Sequence, residues 1–238
     1  MSFDRVLDIS YNKVGKKINK LEHLPAKLLR KSKSLFTKKS LQKKNPVPIK
    51  VDVYAMVSGL PFPEKLIKSL LKIKKKIKQN LQNSNCYWVE PKNLAVEYCV
   101  FKWPSDDWKK KWIIDIENYL RREKIKIFNY SIVGIQIHTD GCIIAKGYDD
   151  KAAIRKIRSN LISNLKFLPS RQSSWAHIPL GRILEPISKT KFQNLKKIAK
   201  SLSKKKIGTI KINRIKIVNE KQWYMKKKKI IFIKNLIQ

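Results

Sequence analysis

The sequence predicts an α+β fold: bilobed, with two pseudo-symmetric, mostly antiparallel sheets, helices packed outside, and a central cleft. Two observations predict it. From residue 50 onward, period-two apolar runs alternate with runs spaced at three and four, giving the order β-α-β-α-β-β-α-β-α-β-β. Two similar halves of this pattern meet near residue 145, so that their sheets would face each other across a groove.

Residues 1 to 48 stand apart. Eleven lysines from Lys13 to Lys44 are interleaved with scattered apolar residues, and Pro46 and Pro48 mark a boundary. The reading is a mobile basic arm with a short amphipathic helix around Leu21 to Leu29; a transit peptide is the alternative.

The body, 49–235, begins with Val51, Val53, Ala55 and Val57, alternating as a strand that stops at Gly59 and Pro61. Leu66, Leu70, Ile73, Ile77 and Leu81 mark an amphipathic helix over 64–81, whose lysine face reads first as a solvated one. Residues 93–102 form a strand. Trp108, Trp112, Ile116, Tyr119 and Leu120 mark a second helix, and the tryptophan pair reads as core. Ile127 to Ile137 and Cys142 to Tyr148 form a hairpin turning at Asp140 and Gly141, which leaves His138 a turn residue. Ile154 to Leu165 is a third helix, Trp175 to Leu184 a strand, and Phe192 to Leu202 a fourth helix. Ile210 and Ile212 alternate out of phase with Ile215 and Ile217, which predicts a bulge near Asn213 and Arg214. Ile230 to Ile233 supply the last strand.

Composition bounds the function. The 238 residues carry 55 Lys and Arg against 17 Asp and Glu, a net charge of +38, so acidic partners are the expectation. Only nine basic residues are Arg, and abundant Lys, Ile and Asn also fit AT-rich codons, so a functional positive field and codon bias weigh about equally. Three cysteines (Cys86, Cys99, Cys142) and three histidines (His23, His138, His177) show no disulfide, zinc or metal spacing, and no glycine-rich phosphate loop is present. No metal and no cofactor are expected. Nor is a membrane span, because no run of about 18 uncharged apolar residues exists. The expected location is the cytoplasm, or an organelle if the arm is a transit peptide, and the expected state is a monomer. Attachment of the arm to anionic membrane surfaces is a minor alternative that lacks a large apolar face.

The stretch Ser174, Trp175, Ala176, His177, Ile178, Pro179, Leu180, Gly181, Arg182 resembles the second His-x-Thr/Ser-apolar motif of the two-histidine phosphoesterase superfamily, which includes RNA 2′,3′-cyclic phosphodiesterases formerly called 2′-5′ RNA ligases. The first motif of that family follows an Asn-Leu pair, here Asn93 and Leu94. Ala95 then stands where the first histidine belongs and Glu97 where the hydroxyl residue belongs, 82 positions separating Ala95 from His177. The resemblance, covering about residues 50 to 235, implies the bilobed fold, RNA ends or a small cyclic nucleotide as substrate, and proton transfer by two facing groups.

By that resemblance His177 is the surviving catalytic acid or base. Glu97, two residues along the strand from Ala95 and on the same face, is the candidate second catalytic group. Arg182 is the candidate phosphate clamp, provided that Pro179 bends its strand to bring it to the face of His177. The alternative function is a non-catalytic basic protein that binds RNA in the same cleft.

Overall fold

A computed structural model of the chain describes residues 5–238. Helices α1 (Arg5–Asn19), α2 (Arg30–Lys33) and α3 (Lys38–Gln42) precede strand β1 (Lys50–Gly59) and helix α4 (Glu64–Asn80). Strands β2 (Cys86–Trp88) and β3 (Ala95–Lys102), helix α5 (Lys111–Arg122), and the hairpin of β4 (Phe128–Ile137) and β5 (Cys142–Asp149) follow. Helix α6 (Ala153–Asn164), strand β6 (Ile178–Ile183), helix α7 (Lys189–Leu202) and strands β7 (Lys206–Ile212), β8 (Arg214–Gln222) and β9 (Lys227–Asn235) complete the chain.

These strands form two antiparallel sheets, one in the order β3-β1-β8-β9 and the other β2-β6-β5-β4-β7. The α+β class and the two sheets therefore match the sequence reading, and the order of the body does so except for two further strands, β2 before β3 and the separation of β7 from β8. The hairpin turns where Asp-Gly predicts, with Gly141 at φ +86°, a conformation that costs glycine little. Residue 145, the expected meeting point of the halves, lies inside β5, and the first sheet joins strands from both ends of the chain.

Two expectations are corrected. The phase change at Asn213 and Arg214 is not a bulge within one strand. It is where the chain leaves the five-stranded sheet, β7 pairing with β4, and enters the four-stranded one, β8 pairing with β1. A reversal of face and a change of sheet leave the same period-two signature.

The described part of the expected mobile arm is folded. Helix α1 buries Leu7, Tyr11 and Ile18, spaced four and seven apart, and keeps Lys13, Lys16 and Lys17 outward. Leu24 and Leu29 are fully buried, and Phe36 packs against the rings of Tyr87 and Tyr224. The Tyr11 hydroxyl, 3.2 Å from both the N–H and the C=O of Gly147, donates to the carbonyl and accepts from the amide. Glycine at 147 is required by a neighbouring contact: a Cβ there would meet the Ala176 oxygen and the Tyr130 hydroxyl at 1.9 Å. Residues 5–36 thus cover the five-stranded sheet and belong to the core of the domain.

Candidate active site in the cleft between the sheets

The four-stranded sheet gives the cleft an apolar wall. Val53, Ala55, Val57, Ala95, Val100, Val218 and Met225 form a cluster of their own, separate from the main core, because alternate residues of β1, β3 and β8 face the same way. Two carboxyl groups interrupt this wall. Glu97 sits opposite Val57 on β3, and Glu220 sits opposite Val53 on β8. The facing wall comes from the segment leading into β6 and from the hairpin, and between them lies a cavity of about 520 Å³. Ala95, Glu97, His177, Pro179 and Arg182 all line it.

The bend at Pro179 is present. In the β5–β6 ladder Ile144 pairs with Pro179 and Ile143 with Gly181, so Leu180 is an extra residue on β6. That insertion changes the parity of the strand and brings Arg182 to the cavity beside His177, five positions earlier. His177 itself lies one residue before β6 rather than within it.

Each ionisable group feels its surroundings differently. The half-buried His177 ring has its Nδ1 buried with no hydrogen-bond partner among the described residues. Burial, with the positive fields of His138 and Arg182 added, pushes its pKa down to about 3, so the ring is neutral. Glu97 is pushed up by burial to about 7, against the pull of Arg158. Glu220, almost fully buried, is pushed up to about 8 although it accepts a hydrogen bond from the Met225 amide at 2.7 Å.

Arg182 is held rather than free. Its Nη1 donates to Asp140 Oδ2 at 2.7 Å and to Ser32 Oγ at 2.5 Å, and Ser32 in turn donates to the Asp140 carbonyl. The guanidinium also lies 6.0 Å from the Tyr224 ring centroid. Burial opposes the Asp140 charge, but Arg182 outweighs it and holds the carboxyl below its usual range. A more exposed cation stands at the cavity rim: Arg171 lies over the Trp103 ring at 4.6 Å, and the Trp103 indole donates to its carbonyl.

Sequence reasoning misses two members of the neighbourhood. His138, expected as a turn residue, does open the turn by accepting from the Gly141 amide, yet its ring lies 6.2 Å from His177 and 5.4 Å from Trp175. Glu220 carries no motif of its own. Its facing can be read only once β8 is known to belong to the four-stranded sheet.

The lining differs from the cationic trough that a charge of +38 suggests: among the described residues no lysine lines the cavity. Nor do the described residues contain a group of three His, Cys, Asp or Glu side chains placed to hold a metal ion. No described helix is long and apolar enough to cross a membrane.

The fold has solved counterparts. It matches TT0787 of Thermus thermophilus at 13% identity and TM-score 0.57, over 77% of this chain and 97% of that one. It matches a phosphoesterase at 10% identity and TM-score 0.54, over 79% and 99%. E. coli LigT complexed with phosphate matches at 9% identity and TM-score 0.55, over 80% and 100%, and LigT has also been crystallised with 3′-AMP and with NADP+. No protein-family model and no curated protein matches the sequence. At these identities the common feature is the fold, and the sequence-level resemblance to two-histidine phosphoesterases holds at that level.

Proposed function

We infer that this chain is a phosphoesterase-type protein whose cleft takes the phosphate end of an RNA or a small cyclic nucleotide, with His177 and Glu97 as the proton-transfer pair. One observation carries the reading: His177, a neutral imidazole, and Glu97, whose carboxyl burial keeps protonated up to about pH 7, line a single cavity from opposite walls. A buried polar atom without a partner needs an explanation, and a ligand in the cavity that His177 lines supplies one.

In hydrolysis of a 2′,3′-cyclic phosphate, the water oxygen bonds to phosphorus and the bond to one ribose oxygen breaks. Neutral His177 accepts the proton from the water. Glu97, half protonated near pH 7, gives its proton to the departing ribose oxygen. An anionic phosphate beside the imidazole raises its basicity, reversing part of the loss that burial causes. Arg182 contributes a fixed field offset by Asp140, and Arg171 at the rim supplies a second cation over an aromatic face on which a base can stack.

The test is incubation with an oligonucleotide ending in a 2′,3′-cyclic phosphate. A linear phosphate product from the native chain, lost in His177→Ala and Glu97→Gln, is the expected result. No product from the native chain overturns it.

A second reading, RNA held in the cleft without turnover, is favoured by two facts: Pro179 occupies a hydroxyl position of the family motif, and Asp140 already engages Arg182. It predicts a bound but unaltered oligonucleotide.

A further inference from the structure

A second cavity lies behind the cleft wall, between α1 and α7 over β4 and β5, with a volume of about 610 Å³. Its character is the reverse of the cleft's. Lys16 of α1, Lys146 of β5, and Lys196, Lys197 and Lys200 of α7 line it, with no aspartate or glutamate among the lining residues. Tyr11 forms part of its wall and packs 4.9 Å from Trp175, which lines the cleft, so one layer of aromatic rings separates the two spaces.

Two observations point to a ligand. The first is Lys146: half-buried, it lies 5.8 and 5.9 Å from the Tyr11 and Tyr148 ring centroids and has no hydrogen bond or ion pair among the described residues. Burial disfavours its ammonium form, and the nearby carboxylate of Asp8, already bonded to the Tyr148 hydroxyl, offsets this only in part, so a further anion in the groove would find an open donor. Lys196 is better held, donating to the Asn19 and Leu21 carbonyls at the end of α1, and these two bonds leave one of its three donors open. The second is Gln136, nine-tenths buried on the floor of the groove, whose Nε2 donates to the Tyr11 carbonyl while its Oε1 has no donor. Five cations and one idle acceptor call for a ligand with several anionic groups and a hydroxyl.

We propose that this groove holds the ribose-phosphate backbone of single-stranded RNA, its lysines neutralising phosphates and Gln136 accepting from a 2′-hydroxyl. Lysines are compact point charges without the paired donors of arginine, so they suit a row of separate phosphates better than one fixed oxyanion. The 2′-hydroxyl is the donor that DNA lacks. The site is independent of turnover in the cleft.

The experiment is fluorescence anisotropy of a labelled oligouridine of about 12 nucleotides with a 3′-hydroxyl end, titrated at several KCl concentrations. The native chain is compared with Lys146→Gln/Lys197→Gln/Lys200→Gln and with a control of equal charge, Lys65→Gln/Lys72→Gln/Lys76→Gln on α4. The groove variant is expected to bind about tenfold or more weakly at low salt and to lose about 2 units of salt slope, at about 0.7 per phosphate contact, while the control changes little. The native chain is expected to favour the RNA over the matching deoxyoligonucleotide. Equal weakening in the two variants, or equal affinity for RNA and DNA, overturns the proposal. Because the probe has no cyclic phosphate, these outcomes are separate from any failure of hydrolysis in the cleft.

Discussion

The cleft and the groove behind it lie on either side of Tyr11 and Trp175, yet their electrostatics are opposed. The cleft is mostly apolar, has no lysine among its described lining residues, and sets two carboxyls, the half-buried Glu97 and the buried Glu220, beside two arginines. The groove is polar and carries five lysines and no carboxylate among its described lining residues. The difference shows that net charge says little about where a strongly basic protein does its chemistry. A surplus of lysine collects where water or a ligand can solvate it, whereas the pocket that tunes proton-transfer groups admits only cations that are fixed in place, Arg182 by Asp140 and Arg171 over the Trp103 ring.

The largest expected effect separates the two spaces. His177→Ala should lower cleavage of a cyclic phosphate by about 10²- to 10⁴-fold, the usual contribution of a positioned acid or base. Glu97→Gln should do the same by removing the proton donor. In the native chain, cleavage should fall as the pH rises through about 7, where Glu97 loses its proton. A rate profile flat from about pH 6 to about pH 9 would remove Glu97 from the reaction.

Next in size is the wall between them. Tyr11→Ala deletes a fully buried ring together with its bonds to Gly147, at a cost of about 3–5 kcal/mol, while Ile9→Ala, exposed on the other side of α1, should cost under about 0.5 kcal/mol. Denaturant midpoints give both values. Equal small effects would mean that α1 is not part of the domain core.

How much of this is legible in the sequence depends on periodicity. Helix α4 and the hairpin β4–β5 follow from apolar spacing and the Asp-Gly turn, and Ala95, Glu97, His177 and Arg182 reach one cavity as the motif spacing and the bend at Pro179 require. Helix α1 escapes notice although Leu7, Tyr11, Val14 and Ile18 repeat at four, three and four, because the dense lysines on its other face resemble a solvated tail. Three-residue β2 is too short to show a period. The nearness of His138 to His177 and the facing of Glu220 arise from strand pairing between distant segments, which leaves no local mark in the sequence.

Stability against pH probes the buried carboxyls as a pair. Burial raises both above their value in the unfolded chain, so the folded state holds protons that the unfolded chain releases, and stability should fall as the pH rises from about 5 through about 8. Glu220→Gln, which keeps the shape and removes the titration, should flatten most of this slope. A loss on the order of 2–4 kcal/mol across the window in the native chain, against about half of it or less in the variant, is the expected comparison of denaturant midpoints. A native slope equal to that of the variant would mean that water reaches Glu220.

The smallest effect concerns the latch on Arg182, a pair whose side chains are 12% and 36% exposed but in which a neutral side chain of the same shape at 140 can still accept from the guanidinium. Asp140→Asn keeps the hydrogen bonds within reach and removes one negative charge from beside the cleft. With the offset gone, the Arg182 field acts on the cavity undiminished, so inhibition by inorganic phosphate should strengthen several-fold while the denaturant midpoint moves little. His177, already held neutral partly by Arg182, should then resist protonation further, because it loses the one neighbouring charge that favours its cationic form. If phosphate inhibition is unchanged, Arg182 is a structural tie between the hairpin turn and Ser32 rather than part of a phosphate site, and the affinity of the cleft rests on the rim cation Arg171.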